Sequence, residues 1–225
     1  MPNANSSPPP GRWCRVVTVR LPTWRVLLPG LVLLSALVFW VVNSVHGFLS
    51  VSHPVVANVL VVEGWSPDYA LEWAVQEFDR GQYEVLIAAG GPMERGSLVS
   101  GYPTYAEIAA ATLVRLGVDP ARVATAPAEA TLRNRTYVSA RGVRELLDVH
   151  AVEPRGLNLI SLGTHARRSW VVYGKTLGDQ CAVGVLAVPP EDYDPARWWA
   201  SSAGVKSTIV EAVGWFYESL FGSGR

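Results

Sequence analysis

Twenty consecutive residues, Val26 to Val45 (VLLPGLVLLSALVFWVVNSV), contain no charged side chain. Wound as a helix, a run of this length spans about 30 Å, the thickness of a bilayer's hydrocarbon core. It predicts a transmembrane helix over residues 26–46. Pro29 and Gly30 fall near its start, where a helix tolerates them, and Trp24 and Trp40 lie toward its ends, as interfacial aromatics do. A cleaved signal peptide would have a shorter apolar core followed by a small-residue cleavage site, and Asn43 to Gly47 offers none. A buried core helix would carry a polar face, and this run does not.

The charges around the run give it a direction. Arg12, Arg15, Arg20 and Arg25 precede it, no arginine follows until Arg80, and no acidic residue occurs before Glu63. The positive-inside rule therefore predicts a cytoplasmic N-terminus and an extracytoplasmic domain over residues 53–225. Residues 1–25 begin MPNANSSPPP and read as a disordered cytoplasmic tail. Formal net charge is zero, which gives no reason to expect a nucleic-acid partner; the bilayer is the expected partner of residues 26–46. The two cysteines, Cys14 and Cys181, fall on opposite sides of the predicted span and cannot form a disulfide framework, so the domain must rest on a packed core.

Beyond the span, strand and helix patterns alternate. Apolar runs at Val55–Val62, Val85–Ala89, Val123–Ala126, Leu157–Leu162 and Val183–Val188 read as buried strands. Helical patterns fall between and after them, at Pro67–Arg80, Tyr105–Leu116, Arg135–Val149, Ala166–Leu177 and Val205–Phe221. Ser66 with Pro67, and Thr104, are the expected starts of the first two helices; Gly81, Gly117 and Gly178 are expected stops. The alternation predicts an α/β fold: a three-layer, Rossmann-like domain with a five-stranded parallel sheet, preceded by one transmembrane helix.

Ligands of such sheets bind outside the carboxyl ends of the strands. That places Glu63-Gly64-Trp65, Gly90-Gly91, Pro127–Arg135, Gly163–Arg168 and Pro189–Asp194 around any site. Gly90-Gly91 lets backbone approach a ligand or simply makes a tight turn; it lacks the spacing of a dinucleotide loop. Thr164-His165-Ala166-Arg167-Arg168-Ser169 lies at a strand-to-helix junction, where arginines oppose the helix dipole unless they face an anion such as phosphate or carboxylate. The plainer reading is two solvated arginines. His165 suits general acid/base work or donation to an anion, against a structural role. Arg133 and Arg135 add positive charge nearby; Glu63 and Glu107 oppose it and can orient arginines or bind a sugar hydroxyl. There is no zinc-ligand spacing, no G-x-S-x-G elbow and no cysteine beside a base.

Five stretches, VLVVEGW (Val59–Trp65), LIAAGG (Leu86–Gly91), TYAE (Thr104–Glu107), RTYVSA (Arg135–Ala140) and LISLGTHARRS (Leu159–Ser169), follow one another in an order that resembles the YdcF-like family of bacterial envelope proteins, the ElyC/SanA/YdcF family. The resemblance covers most of residues 55–190. It implies a Rossmann-like sheet, an N-terminal membrane helix in the bacterial inner membrane and a role in cell envelope biogenesis. By the same resemblance Glu107, His165 and Arg168 take the family's motif positions, with Glu107 and His165 as the catalytic candidates. Arg135 and Ser139 stand where the family has asparagines, and Glu63-Gly64-Trp65 stands where many members have a Gly-Gly turn. The expected ligand-binding set is Glu63, Gly90, Gly91, Arg135, Ser139, Thr164 and Arg168.

Three functions compete. The first is an extracytoplasmic protein that binds or processes an anionic, phosphate-bearing or lipid-linked cell-wall precursor. The second is a transferase-like domain binding a nucleotide or S-adenosylmethionine, which the resemblance also implies and the outward orientation opposes. The third is a non-catalytic envelope scaffold. The sequence names no cofactor and leaves open whether the domain is an enzyme.

Overall fold

The computed structural model describes residues 22–94, 96–149 and 153–222. Arg12, Cys14, Arg15, Arg20 and the expected tail as far as residue 21 lie outside them. Contacts divide the chain between Val41 and Val42.

The apolar run is a helix, α1 (Trp24–Leu49), extending past the expected span at both ends, and it is long and apolar enough to cross a membrane. From Val26 to Val41 its side chains are exposed. Its last two turns belong to the α/β unit: Leu49 is buried, the Trp198 indole donates to the Val42 carbonyl, and His46 Nε2 lies 3.1 Å from the Tyr193 hydroxyl.

The α/β unit holds the five expected strands: β1 (Val59–Glu63), β2 (Val85–Gly90), β3 (Val123–Pro127), β4 (Leu157–Leu162) and β5 (Val183–Val188). All neighbours pair in parallel in the order β3-β2-β1-β4-β5, so the chain reverses direction across the sheet between β1 and β4. The helices are α2 (Asp68–Arg80), α3 (Ser97–Ser100), α4 (Tyr105–Arg115), α5 (Arg135–Val149), α6 (Ala166–Leu177) and α7 (Ser202–Phe221). Strand alternation divides the core into two halves. Leu60, Val62, Leu86 and Ile160 pack with Leu71 and Phe78 of α2 and Leu113 of α4. Val59, Val61, Ile87 and Leu159 pack with Val143 of α5 and Tyr173 of α6 on the other face. A sheet covered on both faces needs strands that are mainly apolar on both sides, which is how these read apart from residues such as Glu63, Asn158 and Ser161.

Several boundaries differ from expectation. Residues 55–58 are not strand. The Val55 amide and carbonyl bond to the Asn158 side chain at 2.9 Å each, and His53 bridges antiparallel to Val185 of β5. A side-chain amide thus satisfies backbone that the β-branched run would have placed in a ladder. At α2 the cap position falls on Pro67, with no side-chain bond, and the buried Ser66 hydroxyl has no partner. Helix α7 starts at Ser202, three residues early, because the Ser201 hydroxyl accepts from the Gly204 amide and caps it. Helix α3 and the 3-10 turns at Pro120–Arg122, Gly163–His165 and Pro195–Ala200 went unread, being too short for a periodic signal.

Candidate functional site

A cleft of about 1040 Å³ opens at the carboxyl ends of the strands. Its floor is Glu63 at the end of β1 and His165 after β4, so it sits at the topological reversal where open parallel sheets bind ligands. The β2 end supplies Gly90 and Gly91, the residues after β3 supply Asn134, Arg135, Thr136 and Ser139, and one wall is α7.

Four charged side chains form a continuous array on the floor. Glu63 is 3% exposed and both of its oxygens are engaged: Ser161 donates at 2.5 Å, Ser169 at 2.9 Å, and His165 Nε2 lies 3.2 Å away. The other ring nitrogen, Nδ1, is 2.9 Å from Glu211 of α7. Arg168 grips the same carboxylate with a fork, Nε to Oε2 at 2.8 Å and Nη2 to Oε1 at 3.0 Å, and reaches Thr136 with Nη1 at 3.4 Å. Trp65 meets the imidazole edge-on, with ring centroids 5.1 Å apart.

This geometry favours the protonated form of His165. Ionised carboxylates only accept, so a ring with a carboxylate against each nitrogen is best satisfied as an imidazolium. The 3.0 Å approach of Arg168 Nη2 to Nδ1 is then two donors sharing Glu211 Oε1. Burial opposes the imidazolium more than any other single influence, but the Glu63 charge and the bonds to Glu211 and Glu63 together outweigh it and raise the pKa to about 9. Burial likewise opposes ionisation of the two carboxylates. His165 nevertheless holds Glu63 below its ordinary value, and His165 with Arg168 draw Glu211 down to about 2. The array is two anions and two cations, with no net charge. The Tyr173 hydroxyl, fully buried without a partner, is pushed well above its ordinary value by burial and by Glu63.

Of the residues predicted from sequence, Glu63, Gly90, Gly91, Arg135, Ser139, His165 and Arg168 line this cleft. Glu107 and Thr164 do not. The Glu107 carboxylate accepts from the Thr104 amide at 3.0 Å and the Thr104 hydroxyl at 2.7 Å, completing a capping box that starts α4. The structure thus places Glu107 in a helix cap and not among the residues lining the cleft. Thr164 is fully buried, with its hydroxyl 2.8 Å from Ser207 of α7. Gly90 serves packing as well as the turn: a Cβ there would stand 2.9 Å from the Tyr105 Cβ at the start of α4. Arg135 sits at the exposed rim, paired with Glu94 at 2.5 Å.

The expected arginine pair does not act as a pair. Arg167 turns away, donating to the Phe48 carbonyl and covering the Phe48 ring, while the anion that Arg168 faces is the chain's own Glu211. Glu211 was missed because it lies 43 residues further along the chain in an apolar helix. One signal did exist: Ser207, Thr208, Glu211 and Glu218 recur at helical spacing and share one face of α7. Room for Arg168 against that helix comes from Gly214, where a Cβ would stand 3.1 Å from Arg168 Nε.

With both nitrogens engaged, His165 is a fixed donor and a cation, not a free base. Arg168 is held by its fork with Nη1 directed beside the cleft hydroxyls, a preorganised donor in a partly desolvated site. Among the described residues no cluster of side chains has a metal-binding arrangement. No protein-family model matches the chain, and no curated protein matches it.

Proposed function

We propose that this chain is a single-pass protein of a bacterial inner membrane, with its N-terminus in the cytoplasm. Its extracytoplasmic domain binds, at the cleft over Arg168, an anionic cell-wall precursor carrying phosphate or a lipid link. The apolar α1 and the arginines before it support the topology. The resemblance to the YdcF-like family supports a role in envelope biogenesis. The observation that carries the ligand class is the array itself: Glu211 spends its charge in orienting Arg168, and Nη1 remains to meet a phosphate oxygen beside the Thr136 and Ser139 hydroxyls. The exposed Glu94 and Glu129 at the cleft suit the hydroxyls of a sugar. His165 positions the array as a cation and not as a base.

The test is binding of a polyprenyl phosphate and of a nucleotide-sugar to the full chain in nanodiscs. Wild type is compared with Arg168→Gln and His165→Ala, each checked for native circular dichroism. Weakened binding by both variants supports the reading. Binding equal to wild type in both variants removes it, and selective binding of S-adenosylmethionine would replace it with the transferase-like alternative.

A further inference from the structure

Helix α7 is amphipathic in the wrong sense for a helix on a water-facing surface. The face turned to the domain carries Ser207, Thr208, Glu211 and Glu218, all buried or half-buried. Its outer face carries Ile209, Val210, Val213, Phe216, Leu220 and Phe221, each more than half exposed, with Val213 at 65%. The helix has three charged residues, and two of them, Glu211 and Glu218, face inward to Arg168 and Lys175; only Lys206, near its start, is outside. An apolar face of this kind, carrying no charge after Lys206, marks a surface that is covered.

The chain itself supplies the reason to name the cover. The last two turns of α1 enter the α/β unit against α7, where Phe48 meets Trp215 edge-on with centroids 4.9 Å apart and Arg167 covers Phe48. The helix beside the last two turns of α1, from Val42 to Leu49, is thus the one with the bare apolar face. Phe216, Tyr217 and Phe221 cluster at its C-terminal end, the composition of a headgroup-level aromatic anchor.

We infer that the outer face of α7 is seated in the interfacial layer of the bilayer. This rests on the reading of α1 as a membrane span. Val210, Val213 and Tyr217 of that face also line the cleft, so the cleft mouth meets the lipid layer and a membrane-borne ligand reaches Arg168 without crossing water.

The test uses the full chain in nanodiscs, with Cys14 and Cys181 replaced by serine and one nitroxide at a time placed by Val213→Cys, Phe216→Cys, Val149→Cys or Val32→Cys. Accessibility to oxygen, which partitions into lipid, is compared with accessibility to a water-soluble nickel chelate. The expected oxygen-to-nickel ratio at 213 and 216 is several-fold above that at 149, an exposed apolar position at the end of α5. Nickel access at 213 and 216 equal to that at 149, with 32 in lipid, overturns the inference alone. Nickel access at 32 as well overturns the membrane reading beneath it. Shielding of 213 and 216 from both probes, with spin–spin broadening, assigns the face to a second copy of the chain and also overturns the inference.

Discussion

Deprotonating His165 removes the cation that stands between Glu63 and Glu211, and the fold loses stability as this happens. The imidazole has an ordinary value of 6.5 and is raised to about 9 in the folded domain. Since the folded state holds the proton more tightly than the unfolded one, the stabilisation is complete below pH 6.5 and is lost as pH rises through about 9. At ~1.4 kcal/mol per unit the gap amounts to about 3 kcal/mol. The depression of Glu211 to about 2 is largely the same attraction viewed from the carboxylate, and it is not added. Its own signature lies at the acid end: present above 4.5 and lost as pH falls toward about 2. In a domain of this size 1 kcal/mol moves the melting temperature about 2–4 °C, so the alkaline side should cost roughly 6–12 °C. The assay is thermal unfolding of the full chain in nanodiscs across this range, together with an NMR titration of the imidazole. The His165→Gln variant identifies the resonance among four histidines and should flatten the alkaline dependence. An imidazole that titrates near 6.5, or a melting temperature unchanged up to pH 9, would refute the reasoning.

Other perturbations separate binding from stability. Glu211→Gln should bring the His165 value down toward 6.5 by NMR and cost about 3 kcal/mol in denaturant unfolding, since it strips Arg168 of its fork. Glu107→Ala should lower stability by about 1 kcal/mol through loss of the capping box and leave ligand affinity unchanged in the same titration. Gly214→Val should displace Arg168, because even a Cβ at that position meets its guanidinium; a larger loss of ligand affinity than of melting temperature is the expected pattern. Thr164→Val, removing the bond to Ser207, should cost about 1 kcal/mol and spare binding.

Much of the architecture was legible because its signals are local and repeated. Leu157–Leu162 and Val183–Val188 are mainly apolar runs of strand length, and the structure gives them the boundaries read from sequence. Thr104 announces α4 by the residue type a helix start requires. The segment 55–58 misled because its β-branched composition is that of a strand, while its hydrogen bonds are set by Asn158, a residue about a hundred positions away. The site was half legible for the same reason. Strand ends can be counted from the chain, so Glu63, His165 and Arg168 fell where a site should be. What Arg168 faces cannot be counted, because Glu211 arrives on the last helix through tertiary packing. Glu107 shows the converse: an acid three residues after a threonine is a capping signature, and that local role is the one the structure gives it.

The most direct measurement is NMR of the full chain in nanodiscs, following the Arg168 Nε–H and the His165 imidazole as a polyprenyl phosphate is added. Saturable shifts of both signals, with no shift of the surface-paired Arg141, are the expected result. A ligand that binds while Arg168 and His165 stay unmoved would place the binding site elsewhere and contradict the assignment of the cleft.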